Sequence, residues 1–229
     1  MYAQRTGLAM IATVAAYAWA HHLGRTWGAT PDERRRRIPG DDLVAGRKTQ
    51  TTHAVTIAAP PDAVWPWLVQ MGWGRAGWYT YRWVDRLLFP ANGPSASAIL
   101  PEHQHLAVGD HIPDGAPETG CYFTVRRLEP ARLLVLHSDS HLFGPLAARD
   151  DVSMDWVWTW QLTGDGHGGT RIVQRNNLHL VPTWLHLSYV ATMVPADFIM
   201  ARSHLLGLKR RAERAGRRRP VGRWRAAAA

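Results

Sequence analysis

Trp156, Trp158 and Trp160 take alternate positions in one stretch, residues 155–163. Side chains two apart in an extended chain point the same way, so the three indoles line one face of a strand. That face must be covered. The stretch runs into Gly164-Asp165-Gly166-His167-Gly168-Gly169, a strong hairpin-turn sequence, and a second strand pattern follows over residues 170–180. A hairpin with an indole-covered face needs either a helix or a ligand against it, and this narrows the choice of fold more than any other feature.

The C-terminal region supplies such a helix. Residues 195–215 carry an apolar stripe of Phe198, Ala201, Leu205, Leu208 and Ala212. Pro195 and Asp197 suit its first turn, Lys209, Arg210, Arg211 and Arg214 suit its last, and Gly216 can cap it. Further strands are expected at residues 49–58, 121–128 and 133–137. A helix is expected over residues 61–71, where Val64, Trp67, Leu68 and Met71 share a face and Pro66 removes one donor. The expected fold is α+β: a curved antiparallel sheet wrapped around a long C-terminal helix with an internal cavity, apolar and aromatic-lined. The chain of 229 residues holds one sizeable domain, and its 12 Trp against 4 Phe suit a cavity with apolar walls and polar edges. Cys121 is the only cysteine, so no internal disulfide forms.

The net charge of +9 is unevenly placed. Residues 209–225 hold nine basic residues against one acid, Glu213, and the rest of the chain is nearly neutral. A nucleic-acid partner is not expected, because a basic binding face would be spread over the folded surface. A basic tail, residues 217–229, fits anionic lipid, although a solvated helix end with a disordered tail is the simpler reading.

At the other end, residues 8–20 form an apolar run broken only by Thr13. It falls short of the ~20 residues a spanning helix needs. The first reading of residues 1–26 is a membrane anchor or membrane-associated helix. A cleaved signal ending at Ala18-Trp19-Ala20 is second, and a helix packed on the domain third. Arg25 and the run Arg34 to Arg37 follow the segment, which places the domain in the cytoplasm, membrane-associated, with a soluble cytoplasmic protein as the alternative. Residues 27–48, broken by Pro31, Pro39 and Gly40, read as a linker, and residues 49–216 as the ligand-binding domain.

Gly72-Trp73-Gly74-Arg75-Ala76-Gly77 has the spacing of a dinucleotide-binding loop but leaves a helix and enters an aromatic run, so it is read as a tight turn. That run, Trp78, Tyr79, Tyr81 and Trp83 with Asp85 behind it, either walls a cavity or packs in the core. Arg175, Asn177 and His179 share one face of the last strand. If that face is inward, Arg175 meets an oxyanion of a ligand; if outward, these are ordinary surface residues. His137, Asp139 and His141 alternate in a way that two imidazoles and a carboxylate could use to hold a metal, but a solvated loop is the expected state and no metal or other cofactor is expected. Ser140 beside His141 lacks the surroundings of a nucleophile elbow.

The segment Ala59-Pro60-Pro61-Asp62-Ala63-Val64-Trp65 after a first strand resembles the first helix of the START-like (SRPBCC) superfamily, the group of polyketide cyclase/dehydrase-related and lipid-transfer proteins. Gly74-Arg75-Ala76-Gly77-Trp78-Tyr79 and Gly207-Leu208-Lys209-Arg210-Arg211-Ala212-Glu213 resemble one bacterial branch of it. The resemblance implies a helix-grip fold with a cavity between sheet and last helix. It carries no catalytic signature. The expected function is binding or transfer of an apolar small molecule or lipid, at a membrane, and more a binder than an enzyme. The candidate ligand-binding residues are Trp78, Tyr79, Tyr81, Trp83, Asp85, His137, Trp156, Trp158, Trp160, Arg175 and Asn177. A cyclase, dehydratase or hydrolase-like enzyme using Asp85, His137 or Arg175 in the same cavity is the alternative.

Overall fold

The structure, a computed structural model, describes residues 2–46, 48–88, 90–142 and 144–218. Its centre is the hairpin: β5 (Ser153–Gly164) pairs with β6 (Thr170–Val181) from Ser153↔Val181 to Gly164↔Thr170. Asp165 fixes the turn by accepting from the amides of His167 and Gly169, both at 2.8 Å. On one side β1 (Thr49–Ile57) pairs with β6; on the other follow β4 (Leu133–Ser138), β3 (Tyr122–Glu129) and β2 (His111–Pro113). The order β1-β6-β5-β4-β3-β2 is antiparallel throughout.

The hairpin register puts Trp156, Trp158 and Trp160 opposite Leu178, Asn176 and Gln174. These residues face the final helix α5 (Thr183–Arg218) together with Leu134, Leu136, Phe123 and Val125. Ala201, Leu205, Leu208 and Ala212 of α5 are buried against them, as their spacing predicts. α3 (Pro61–Val69) closes one end with Val64, Trp67 and Leu68. Gly207 lets α5 cross the aromatic run: a Cβ there would lie 1.8 Å from the Tyr79 carbonyl oxygen. Gly72 and Gly77 form a small antiparallel bridge, so the glycine motif is a turn.

Three differences from the sequence reading bear on function. First, α5 begins at Thr183, not Pro195, which lies inside it. Pro195 cannot donate to the Ala191 carbonyl four residues back. That carbonyl instead accepts from the Tyr17 hydroxyl at 2.8 Å. Tyr17 belongs to α1 (Tyr2–Thr26), which packs along α5; Gly24 permits the contact, since a Cβ would meet the Val194 carbonyl oxygen at 1.8 Å. Second, among the described residues no helix is long and apolar enough to cross a membrane.

Third, residues 27–48 do not behave as a free linker. α2 (Pro31–Arg35) starts with a reciprocal cap between Thr30 and Glu33, and Glu33 also takes both arms of Arg171 at 2.8 Å. Arg171 is the main reason the Glu33 carboxyl sits below its ordinary range. The segment covers the outer face of the sheet, where Val44 packs on Leu133, Val135 and Val157. Among the basic C-terminal residues, 219–229 lie outside the described ones; Arg217 and Arg218 are the last turn of α5.

Candidate functional site

Between the sheet and α5 lies a small cavity of about 60 Å³. Trp156, Trp158, Gln174 and Asn176 form its sheet wall; Asp197, Met200, Ala201 and His204 form its helix wall; Trp78 and Asp114 close it. Trp78 stacks on Trp158 with centroids 5.4 Å apart, and Trp158 packs on Trp156 at 6.0 Å and on Trp160 at 4.2 Å. The rings occupy most of the space beneath α5. The remainder has room for a few waters and is far below the ~300–1,000 Å³ of a small-molecule pocket, so a ligand enters only if the walls move.

The polar atoms of this cavity divide into paired and unpaired groups. Burial pushes His204 down to about 4, so its ring is neutral. Its Nδ1–H donates to the Trp78 carbonyl at 2.7 Å, and Nε2 accepts from Trp160 Nε1–H at 3.3 Å. Trp156 Nε1–H donates to Asn176 Oδ1 at 3.0 Å. By contrast, among the described residues neither atom of the Gln174 amide has a hydrogen-bond partner, and the Trp158 indole N–H has none, whereas the Trp78 indole is directed to the Asp114 carboxylate. Buried amides are normally paired.

Asp197 sits on the wall with one long contact, Thr51 Oγ1 at 3.5 Å. Half-buried at the cavity edge and surrounded by protein, its carboxyl is raised by burial to about 7. Asp114 is likewise raised by burial, with His141 opposing the shift. His141 Nε2 lies 3.0 Å from Asp114 Oδ2 and its Nδ1 lies 2.6 Å from Ser138 Oγ, so a hydroxyl–imidazole–carboxylate chain ends at the cavity. Ser138 also accepts from the Ser140 amide at 3.1 Å, which makes this chain a brace between the end of β4 and the loop before β3.

Of the residues expected from sequence, Trp78, Trp156 and Trp158 line the cavity and Trp160 lies directly behind them. The others go elsewhere. Tyr79 is a core residue whose hydroxyl donates to the Trp67 carbonyl at 2.8 Å, under the Arg211 guanidinium. Tyr81 accepts from Arg202 at 2.7 Å and borders a surface groove with Arg82, Arg210 and Arg214. Trp83, on the short helix α4 (Arg82–Leu88), is 55% exposed, while Asp85 on the same helix is buried against the Thr80 hydroxyl. His137 lies on the outer face, 2.7 Å from Asp155, so it and His141 turn to different carboxylates. Among the described residues no group of three or more His, Cys, Asp or Glu is placed to hold a metal.

Arg175 and Asn177 also face outward, but they are not surface residues. Arg175 is 1% exposed; it reaches Asp41 at 2.6 Å and the carbonyls of Glu33 at 2.6 Å and Arg36 at 2.9 Å. Asn177 donates to the other oxygen of Asp41 at 2.8 Å. Both hold residues 30–42 on the sheet, on the face opposite the cavity.

Sequence reasoning missed Gln174, Asn176, Asp197, His204 and Asp114. Two of them left a signal. Asp197 and His204 share the spacing of Ala201 and Leu208 on the buried stripe, so each is a polar residue on an apolar face. Gln174 and Asn176 follow from the hairpin register, which pairs even-numbered with even-numbered residues.

No protein-family model matches the sequence, and no curated protein is similar to it. Several solved structures are similar at low identity. A structural-genomics protein from Mesorhizobium loti is 15% identical with a TM-score of 0.43, over 72% of this chain and 98% of that one. The Zhui aromatase/cyclase from Streptomyces is 18% identical with a TM-score of 0.39, over 77% and 99%. A Staphylococcus aureus protein of unknown function is 10% identical with a TM-score of 0.44, over 75% and 97%. No residue and no activity is carried over from them. The architecture stands on its own geometry: six antiparallel strands gripping a long C-terminal helix, the helix-grip arrangement of START-like proteins.

Proposed function

We propose that the chain binds and carries an apolar, ring-bearing small molecule or lipid between the sheet and α5. The observation that supports this best is the Gln174 amide, unpaired on both atoms in an aromatic-walled cavity. A ligand carbonyl or hydroxyl would pair it, whereas a ligand that displaced water and left it unpaired would lose about 1–3 kcal/mol. The ligand would lie among the Trp78, Trp156 and Trp158 rings with its polar edge toward Gln174 and Asp197. Because the cavity is small in this state, entry requires its walls to move apart.

Titration of the purified protein with an apolar fluorescent probe tests the reading. Saturable binding at one site per chain is expected, weakened in Gln174→Leu for probes with a carbonyl and unchanged for plain hydrocarbons. Absence of saturable binding, or equal loss for both probe types, defeats it.

Asp197 favours a second reading, an enzyme that moves a proton in the same cavity. A carboxyl raised to about 7 is half protonated near neutral pH and suits both donation and acceptance. A ligand recovered chemically unchanged after long incubation with the protein speaks against it.

A further inference from the structure

We propose that α1 and the first half of α5 form one docking element that lies in the headgroup region of an anionic lipid bilayer. This goes beyond the cavity reading and holds whether or not the cavity takes a ligand.

Much of α1 leaves its large apolar side chains uncovered. Leu8 and Ile11 are 69% exposed, Val14 62% and Trp19 63%. Its apolar side chains are distributed all round the helix, so no rotation of α1 against the domain would bury them together. A helix that is apolar on every side belongs in an apolar surrounding. The start of α5, the helix on which α1 packs, likewise leaves Trp184 57% and Leu187 52% exposed.

The two helices present this surface as a unit. Tyr17 occupies the carbonyl freed by Pro195, the Trp19 ring lies 6.2 Å from that of Phe198, and the Gly24 backbone abuts Val194. His53 ties the pair to the sheet. Burial holds its ring neutral, at about 4, and Nε2–H donates to the Gly24 carbonyl at 2.8 Å.

Charge selects the occupant. α1 contains no Asp or Glu, and α5 contains none before Asp197, which is turned to the cavity. Arg5 and Arg25 bracket the apolar run in the sequence. An acid-free apolar surface flanked by cations complements anionic lipid. Exposed Trp19 and Trp184 suit the interfacial depth, where an apolar ring with one N–H is at home. Since no described helix is long and apolar enough to cross, the element lies along the interface rather than through it.

Co-sedimentation of the full chain with phosphatidylcholine–phosphatidylglycerol vesicles tests this. The triple variant Leu8→Asp, Ile11→Asp, Val14→Asp alters only side chains that are mostly exposed, so its thermal unfolding should match the parent's. The parent is expected to pellet with the vesicles, more weakly when phosphatidylglycerol is omitted. Partitioning of the triple variant is expected to fall on the order of tenfold or more. A parent that stays in the supernatant overturns the proposal. So does a triple variant that binds like the parent, which would place the contact elsewhere, such as the basic C-terminal residues. A dimer seen without vesicles and abolished by the triple variant would assign the surface to a second copy of the chain.

Discussion

Replacing Asp197 with Asn should make the protein more stable, and by an amount that depends on pH. Burial raises the carboxyl from 3.8 to about 7, so the folded chain holds the proton more tightly than the unfolded chain does. For an acid shifted upward, no penalty exists below the unfolded pKa. Stability is then lost as pH rises from about 4 to about 7, and the loss is constant above that. Three units at 1.36 kcal/mol each set a ceiling of about 4 kcal/mol. Solvent in the adjoining cavity lowers the figure, to about 2–4 kcal/mol at neutral pH. Asn keeps the shape and a partner for the Thr51 hydroxyl but does not titrate. Denaturant unfolding of parent and variant at a series of pH values measures the difference directly, with other titrating groups cancelling. Between pH 5 and pH 8 the advantage of Asp197→Asn should grow by ~1–2.5 kcal/mol. A difference that stays flat within ~0.5 kcal/mol over that range would show that the carboxylate is solvated and the burial argument wrong.

Three further outcomes follow from packing. Trp158→Ala should cost about 3–5 kcal/mol in denaturant unfolding, because its ring packs on Trp78, Trp156 and Trp160; a midpoint unchanged from the parent's would refute that packing. Gly207→Ala should cost about 3 kcal/mol or more, because the new methyl meets the Tyr79 carbonyl and not a flexible side chain; a thermal melt unchanged from the parent's would refute the close crossing. Arg175→Met should cost about 3–5 kcal/mol by leaving Asp41 and several carbonyls without their donor, and limited proteolysis should then cut within residues 30–46.

The parts of the fold legible in the sequence were those written in short-range pattern. The Trp alternation and the glycine turn fix the β5–β6 hairpin to within two residues at each end, and the stripe from Ala201 to Ala212 is the buried face of α5. The first half of α5 was hidden because its buried face, Leu185, His186, Tyr189 and Val194, is interleaved with the exposed Trp184, Leu187 and Met193, while Pro195 and Asp197 imitate a helix start. The cavity was half legible. Its Trp wall follows from the period of a strand, but whether Arg175 or Gln174 faces inward turns on the parity of one hairpin. Of the outer-face cover only the Thr30–Glu33 cap is a short-range pattern; its docking on the sheet was hidden, since it rests on an arginine more than a hundred positions away.

That arginine also decides what counts as one folding unit. A guanidinium 1% exposed at the middle of β6 is neutralised and hydrogen-bonded by a segment that precedes β1. A shortened chain beginning at Thr49 would keep every strand of the sheet, yet it would inherit a cation evolved for an enclosure it no longer has. The outer face would then be an open apolar and charged surface, prone to pair with another chain or to swap segments between copies. The smallest autonomous version of this protein therefore starts upstream of Glu33, well before the first strand that a pattern search would choose as its boundary.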